Sequence, residues 1–252
     1  MVAPAVATEL LNKAALDGKS AVVIAVLEGG PLLETRPEKT LSELVRERRA
    51  TPAFSSAPVS EDDLRTILQA GLEAPSSYNI QPWRFIVVRD IAQRKRLRRA
   101  AMNQEQVEQA PVVIVACGDT EGWKEDLAEV IRIGRLHGMN DESHIERKRK
   151  NVMADLGSQP NMGMWVTKQT MIAATTMMWM AEAMGYDTGP MEGFYENQVR
   201  EVLRIPEHVR VIFLLAIGHL RGEDGDYPGR LPGSRTVFAE HYGDPLNLEA
   251  TE

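Results

Sequence analysis

Ala74-Pro75-Ser76-Ser77-Tyr78-Asn79-Ile80-Gln81-Pro82-Trp83 is the stretch on which the reading of this chain turns. Prolines, serines and an asparagine at this density cannot continue a helix or lie in a central strand, because proline lacks a backbone donor and fixes φ. The stretch therefore predicts a loop, joining an apolar-periodic helix upstream to a strand over 84–89. Ser76, Ser77 and Asn79 can bond their own backbone and still present polar atoms outward, while Tyr78 and Trp83 offer flat apolar surface. Such a loop suits a planar heteroaromatic ligand edged with amide-like groups. The plainer alternative is a helix-to-strand connection with a buried tryptophan.

Upstream, Ser60 with Asp63 three residues on predicts a helix start, and Leu64, Ile67, Leu68 and Leu72 recur at helical spacing. Further back, Thr40-Leu41-Ser42-Glu43 has the spacing of a capping box, opening a short helix over 41–48 that Pro52 ends. Arg46, Arg48 and Arg49 gather at its end. They can complement the helix dipole there, or their planar forks can hold an anion such as phosphate. Residues 1–39 read as an extension without a legible role.

Downstream, the basic run 94–99 reads as a solvated helical face, followed by Met102-Asn103-Gln104. Residues 112–116 are apolar throughout, as expected of a central strand covered on both faces. The segment 119–159 is charged and shows no clean apolar stripe; it reads as one or two helices with a mobile connection, placed as a lid. Residues 164–184 form the strongest helical pattern, with Trp165, Ile172, Thr176, Trp179, Met180 and Ala183 near the 3.6 period and apolar residues on the other faces too. Gly185 can end it, and 186–194 reads as a glycine-punctuated loop. A brief helix over 197–203, a buried strand over 209–217 and a polar tail from 222 complete the chain.

The totals narrow the function. The 252 residues allow a substantial core, and a formal net charge of -7 argues against an obligate nucleic-acid binder. The single cysteine, Cys117, rules out a disulfide framework within one chain, and its apolar setting predicts an inert thiol. No secretory leader or membrane span is evident, so a soluble cytoplasmic protein is expected. His137 and His144 have no partner at ligand spacing, and no metal site is expected.

No Gly-x-Gly-x-x-Gly fingerprint, Walker loop or nucleophile elbow is present. Instead, four polar loops at 48–52, 75–79, 190–193 and 233–235 terminate regular elements. In this order the blocks resemble the FMN-dependent nitroreductase family. Pro75-Ser76-Ser77-Tyr78-Asn79-Ile80-Gln81-Pro82-Trp83 is similar to the family's Pro-Ser-Ser-x-Asn-x-Gln-Pro-Trp block, and Arg48-Arg49 to its N-terminal basic pair. Gly189-Pro190-Met191-Glu192-Gly193-Phe194 is similar to its Pro-x-Glu-Gly-Phe block, and Ser234-Arg235 to its C-terminal Ser-Arg.

The resemblance implies an α+β fold with a central mixed β-sheet of about four or five strands flanked by helices, and a homodimer with FMN at the interface. The long apolar helix would lie at the dimer seam. The family-like domain would span 40–237, with 238–252 as a C-terminal tail. Arg48, Arg49 and Arg235 would hold the phosphate and the flavin's polar edge, with Ala50 beside them. Asn103 would meet the pyrimidine part of the ring. Pro190, Met191, Glu192 and Gly193 would lie along the isoalloxazine, with Glu192 and the Gly193 N–H nearest its reactive middle. Pro75, Ser76, Ser77 and Asn79 would reach the FMN held mainly by the other subunit.

Ala50, Pro52 and Gly233 depart from the family's polar or basic residues there, which lowers positive charge near the ring. The implied activity is hydride transfer from NADH or NADPH to a small-molecule electron acceptor, such as a nitroaromatic or quinone, by a ping-pong sequence. Trp123, Lys124, Glu125 and Arg147 are the candidates for acceptor selection. A specialised flavoenzyme (dehalogenase, flavin-fragmenting or enoate reductase) and a flavin-binding module without turnover are the alternatives.

Overall fold

The computed structural model describes residues 39–223 and 227–248; all but the last residue of the expected extension over 1–39 falls outside it. The chain divides into two units, Met1–Glu47 and Arg48–Glu252. In the first, helix α1 (Leu41–Glu47) carries the expected capping box: Thr40 Oγ1 accepts from the Glu43 N–H at 3.3 Å, and a Glu43 carboxylate oxygen accepts from the Thr40 N–H at 2.7 Å.

The second unit is built on four strands, β1 (Trp83–Val88), β2 (Val112–Asp119), β3 (Asp187–Met191) and β4 (Val209–Gly218), ordered β1-β2-β4-β3. Every pairing is antiparallel, and the expected mixed character is reduced to one isolated parallel bridge between Ala50 and Thr188. β3 falls inside what the sequence presents as a loop. Its Gly189 and Pro190 are poor strand residues, and the strand is tolerated because it lies at an edge, where a missing proline N–H breaks no ladder.

Alternation along β2 feeds two cores. Val113, Val115 and Cys117 face one cluster with Leu97, Ala100, Val107 and Val199; Val112, Ile114 and Ala116 face the other with Leu64, Ile67, Ala174 and Met177. The first side is covered by α3 (Ile91–Ala100), the single turn α4 (Gln106–Gln109) and α8 (Glu196–Leu203); the second is covered by α2 (Glu61–Leu72) and α7 (Met162–Ala183). A register shift at Ala116/Cys117 skips Ile212, so Val211 and Leu214 serve the same core although three residues apart.

Two sequence readings change here. Arg94, expected on a solvated face, is buried, and its guanidinium donates to the carbonyls of Glu108 and Ala110, tying α3 to the residues that lead into β2. The segment 119–159 holds two helices, α5 (Trp123–Leu136) and α6 (Glu142–Gly157), and does bury a stripe. Trp123, Leu127 and Ile131 pack with Ile145, Val152, Leu156 and Trp165 in a separate cluster. Trp123 is thus a core residue.

The 22 residues of α7 bury Trp165, Gln169, Ala173, Met177 and Ala181, an i, i+4 thread set beside the sequence-predicted stripe. Ile172 and Met164 are exposed, and Thr176, Trp179 and Met180 half-buried. Gly185 ends the helix with φ +81°, its N–H bonding the Glu182 carbonyl and the Tyr186 N–H the Ala181 carbonyl, a Schellman arrangement.

Candidate functional site

Three of the sequence-selected segments converge on the β3 edge. The Thr51 N–H donates to the Thr188 carbonyl at 3.0 Å, which sets Arg48, Arg49 and Ala50 beside β3. At the other end of the strand, the Gln104 side-chain amide donates to the Gly193 carbonyl at 2.7 Å. A Cβ on Gly193 would stand 3.3 Å from that Gln104 amide nitrogen and 3.5 Å from the Met102 sulfur, so a side chain there would crowd the junction. Met102 and Asn103 hold left-handed φ values of +52° and +60° and are exposed. Strain of this kind on non-glycine residues persists only where the surroundings enforce it. Here the Asn103 N–H and C=O are both tied to Arg98.

The electrostatics of this corner are cationic. Arg48 is half-buried, and desolvation lowers its guanidinium below the usual range; Glu182 opposes the shift, and Arg230 and Arg49 add to it. Arg48 Nη1 donates to the Arg49 carbonyl at 2.7 Å and Arg49 Nη1 to the Arg48 carbonyl at 2.9 Å. Arg49 also stacks over the Tyr227 ring, 4.1 Å from its centroid, and Arg230 lies 5.3 Å from the same centroid. Crowded, partly desolvated guanidinium groups fit a phosphate, whose charge would relieve their mutual repulsion.

Pro190 and Met191 are the last residues of β3, and Glu192 is exposed beyond them. The chain then turns through Gly193 and Phe194, and the Tyr195 N–H reaches the Ala100 carbonyl at 2.8 Å. Arg235 is exposed in the 3-10 turn Gly233–Arg235, with no side-chain partner among the described residues. Thr51, Gln104, Tyr227 and Arg230, which contact the selected residues or their strand, were not singled out by sequence reasoning. Gln104 adjoins a selected asparagine, whereas nothing local marks Tyr227 and Arg230.

The loop with Pro75, Ser76, Ser77 and Asn79 is elsewhere. It precedes β1, the edge opposite β3, and three interstrand steps of ~4.8 Å separate those edges by roughly 14 Å. The Ser77 N–H donates to Gln169 of α7 at 2.8 Å and the Gln81 N–H to Ser76 Oγ at 3.0 Å. Tyr78, Asn79 and Gln81 all hold positive φ, +58°, +61° and +54°. Partial burial, and then Asp155 of α6, holds the Tyr78 phenol above its usual range, so α6 borders this loop. The two groups of selected residues thus attach to opposite border strands of the sheet.

Comparison with known proteins supplies the family. The Nitroreductase family model matches residues 45–219. This chain belongs to the nitroreductase family. Over 191 residues it is 38% identical to the "NADH dehydrogenase" of Thermus thermophilus, covering 76% of this chain and 91% of that protein. Among solved structures, a nitroreductase family protein of Streptococcus pneumoniae superimposes with TM-score 0.71 at 27% identity, covering 79% of this chain and 100% of that one. An Exiguobacterium sibiricum protein crystallised in complex with FMN gives TM-score 0.70 at 27% identity, covering 77% of this chain and 94% of the other. These matches establish the nitroreductase fold for residues carrying the β3 corner and the opposite loop.

Proposed function

We propose that this family member is an FMN-dependent oxidoreductase that takes hydride from NADH or NADPH and reduces nitroaromatic, quinone or similar acceptors in a ping-pong sequence. The observation that carries the reading is the convergence at β3 of Arg48–Ala50, the Met102–Gln104 turn and the Pro190–Gly193 segment, fixed by Thr51 N–H to Thr188 and Gln104 to Gly193. The FMN-bound relative supports the cofactor, and the Thermus thermophilus relative supports a nicotinamide donor.

Bound there, FMN would supply the two-electron carrier, with hydride exchanged at N5 and negative charge stored along N1 and the C2 oxygen. The chain's own residues bind and orient. Arg48, Arg49 and Arg230 form the phosphate corner, and Arg235 would close it from the C-terminal segment. Asn103, held outward by its left-handed backbone, would present an amide to the pyrimidine edge. Gly193 would donate its N–H where charge develops, and its missing side chain admits a flat ring; exposed Glu192 would border the same middle region. No dinucleotide fingerprint is needed if donor and acceptor use one face in turn.

A homodimer completes the picture. The 75–79 loop, attached to the border strand opposite β3, would enter the partner's site, bringing α6 beside it. Acceptor selection would then rest on the partner's α6, where Arg147 is exposed. The exposed Met164 and Ile172 of α7 supply apolar surface for such a seam.

The test is spectroscopic. Purified protein reconstituted with FMN should be yellow, and anaerobic NADH or NADPH should bleach it. A protein that takes up no FMN would sink the reading; a yellow protein that neither nicotinamide bleaches would leave a binding module.

A further inference from the structure

Between α3 and α8 runs an open groove of about 800 Å³, outside the convergence at β3. The helices lie antiparallel: the Gln93 side-chain amide at the start of α3 donates to the Val202 carbonyl at 2.7 Å, while the Ala100 carbonyl at its end accepts the Tyr195 N–H that introduces α8. Gln93, Arg96 and Arg99 stand three residues apart and so share one face of α3. Arg204 faces them from the end of α8, held at φ +58°. Glu201 is the single carboxylate in the lining. Three guanidinium groups against one carboxylate make a local cationic patch on a chain whose net charge is -7.

One end of the groove is Ala100, two residues before Met102 and bonded to Tyr195, two residues after Gly193. A ligand lying in it would thus have one end beside the proposed flavin corner. The other end, at Gln93, Val202 and Arg204, lies about 10 Å further along α3 at 1.5 Å per residue. The size is that of a small-molecule site.

We propose that this groove binds the adenosine-phosphate half of the nicotinamide donor and selects NADPH over NADH, with Arg99 at the pyrophosphate and Arg96 and Arg204 at the 2′-phosphate. The inference rests on the oxidoreductase reading above and adds to it where the far end of the donor is held. A nicotinamide stacked on a flavin buries only its own ring. Without a Gly-rich phosphate loop, the two phosphate groups need cationic partners on the surface, and guanidinium forks match a phosphomonoester in a bidentate manner. Arg99 and Arg204 have no side-chain partner among the described residues, and Arg96 is tied only to neutral Gln93, so all three guanidinium charges are free of carboxylates. Glu201 sets the opposite sign beside them and would weaken the dianion's hold.

The experiment is calorimetric titration of the FMN-loaded protein with adenosine 2′,5′-bisphosphate and with AMP. The bisphosphate should bind about tenfold more tightly, and the Arg96→Ala/Arg204→Ala double variant should bring the two within about twofold, as loss of a bidentate charged contact dictates. Glu201→Gln should widen the preference, and Arg65→Ala, which removes an exposed charge on α2, should leave it unchanged. The NADPH-to-NADH ratio of kcat/KM should fall in step in the double variant. Equal binding of the two nucleotides, or a preference that survives in the double variant, overturns the proposal. A protein that takes up no FMN overturns this inference and the oxidoreductase reading together; a yellow protein bleached by NADPH but indifferent to the 2′-phosphate overturns this one alone.

Discussion

Gln104 donates its side-chain amide to the Gly193 carbonyl at 2.7 Å and to the Ala101 carbonyl at 3.2 Å, so one side chain staples the Asn103 turn to the end of the β3 segment. Replacing it with leucine keeps bulk and removes both bonds. Gln104→Leu is expected to weaken FMN binding by up to about thirtyfold, since two neutral bonds at about 1 kcal/mol each are lost. Flavin fluorescence titration checks this, and an unchanged Kd would show that the staple does not shape the site.

Thr188, fully buried in β3, has a hydroxyl without a hydrogen-bond partner among the described residues, although its carbonyl receives Thr51. Valine has the same shape and no polar atom to desolvate. Thr188→Val should therefore stabilise the fold by about 1 kcal/mol, within the range set for a buried unsatisfied group. Urea unfolding measures it. A loss of stability would mean that the hydroxyl has a partner in the assembled protein.

Asp119 ends β2 and caps the following turn. Burial alone would raise its carboxyl, but the N–H groups of Gly122 and Glu121, then Arg84, outweigh that and leave it below 3.8. A carboxylate lowered by folding stabilises above its unfolded value and loses that contribution as pH falls through the folded one. Asp119→Asn should thus cost about 1–3 kcal/mol at pH 7, as expected for bonds to a charged group. The difference should shrink as pH drops below 3.8. Neighbouring Asp126, raised chiefly by burial despite its bonds to Arg84, carries the opposite sign and favours the fold as it protonates. Parallel urea titrations at pH 7 and in acid separate the two.

Burial pushes the Cys117 thiol up to about 12, and its side chain has no exposed surface. Labelling by an aromatic disulfide at neutral pH should be absent in the native protein and report one thiol in denaturant. Appreciable native labelling would indicate that β2 opens locally.

Legibility followed locality. The capping box at Thr40, the Ser60 cap, the apolar run 112–116 of β2 and the glycine stop at Gly185 depend on neighbours a few residues away, and each reads directly from its own stretch. β3 did not, because Gly189 and Pro190 argue against a strand until the edge position that tolerates them is known. Arg94 looked solvated among other basic residues, since its carbonyl partners lie 14 and 16 positions onward. The buried thread of α7 was misplaced by one face, because a helix apolar almost all round gives the period little contrast. Arg48 and Gly193 were proposed from family-like blocks, and Asn103 from what the family resemblance implies. Tyr227 and Arg230 join Arg49 only through the path of the C-terminal segment, and no local pattern announces that.

The separation of the Ser76–Asn79 loop and the Arg48–Arg49 pair onto opposite sheet borders has a genetic counterpart. If each catalytic crevice draws its two walls from different chains, two crippled alleles can rescue one another. A chain lacking Arg48 and Arg49, mixed and reannealed with one mutated at Ser76 and Asn79, should regain one intact crevice per hybrid pair. Up to about half the hybrids' wild-type turnover should return, by the pairing symmetry of a two-fold assembly. Rescue absent from purified hybrids would show that each crevice is furnished by a single chain.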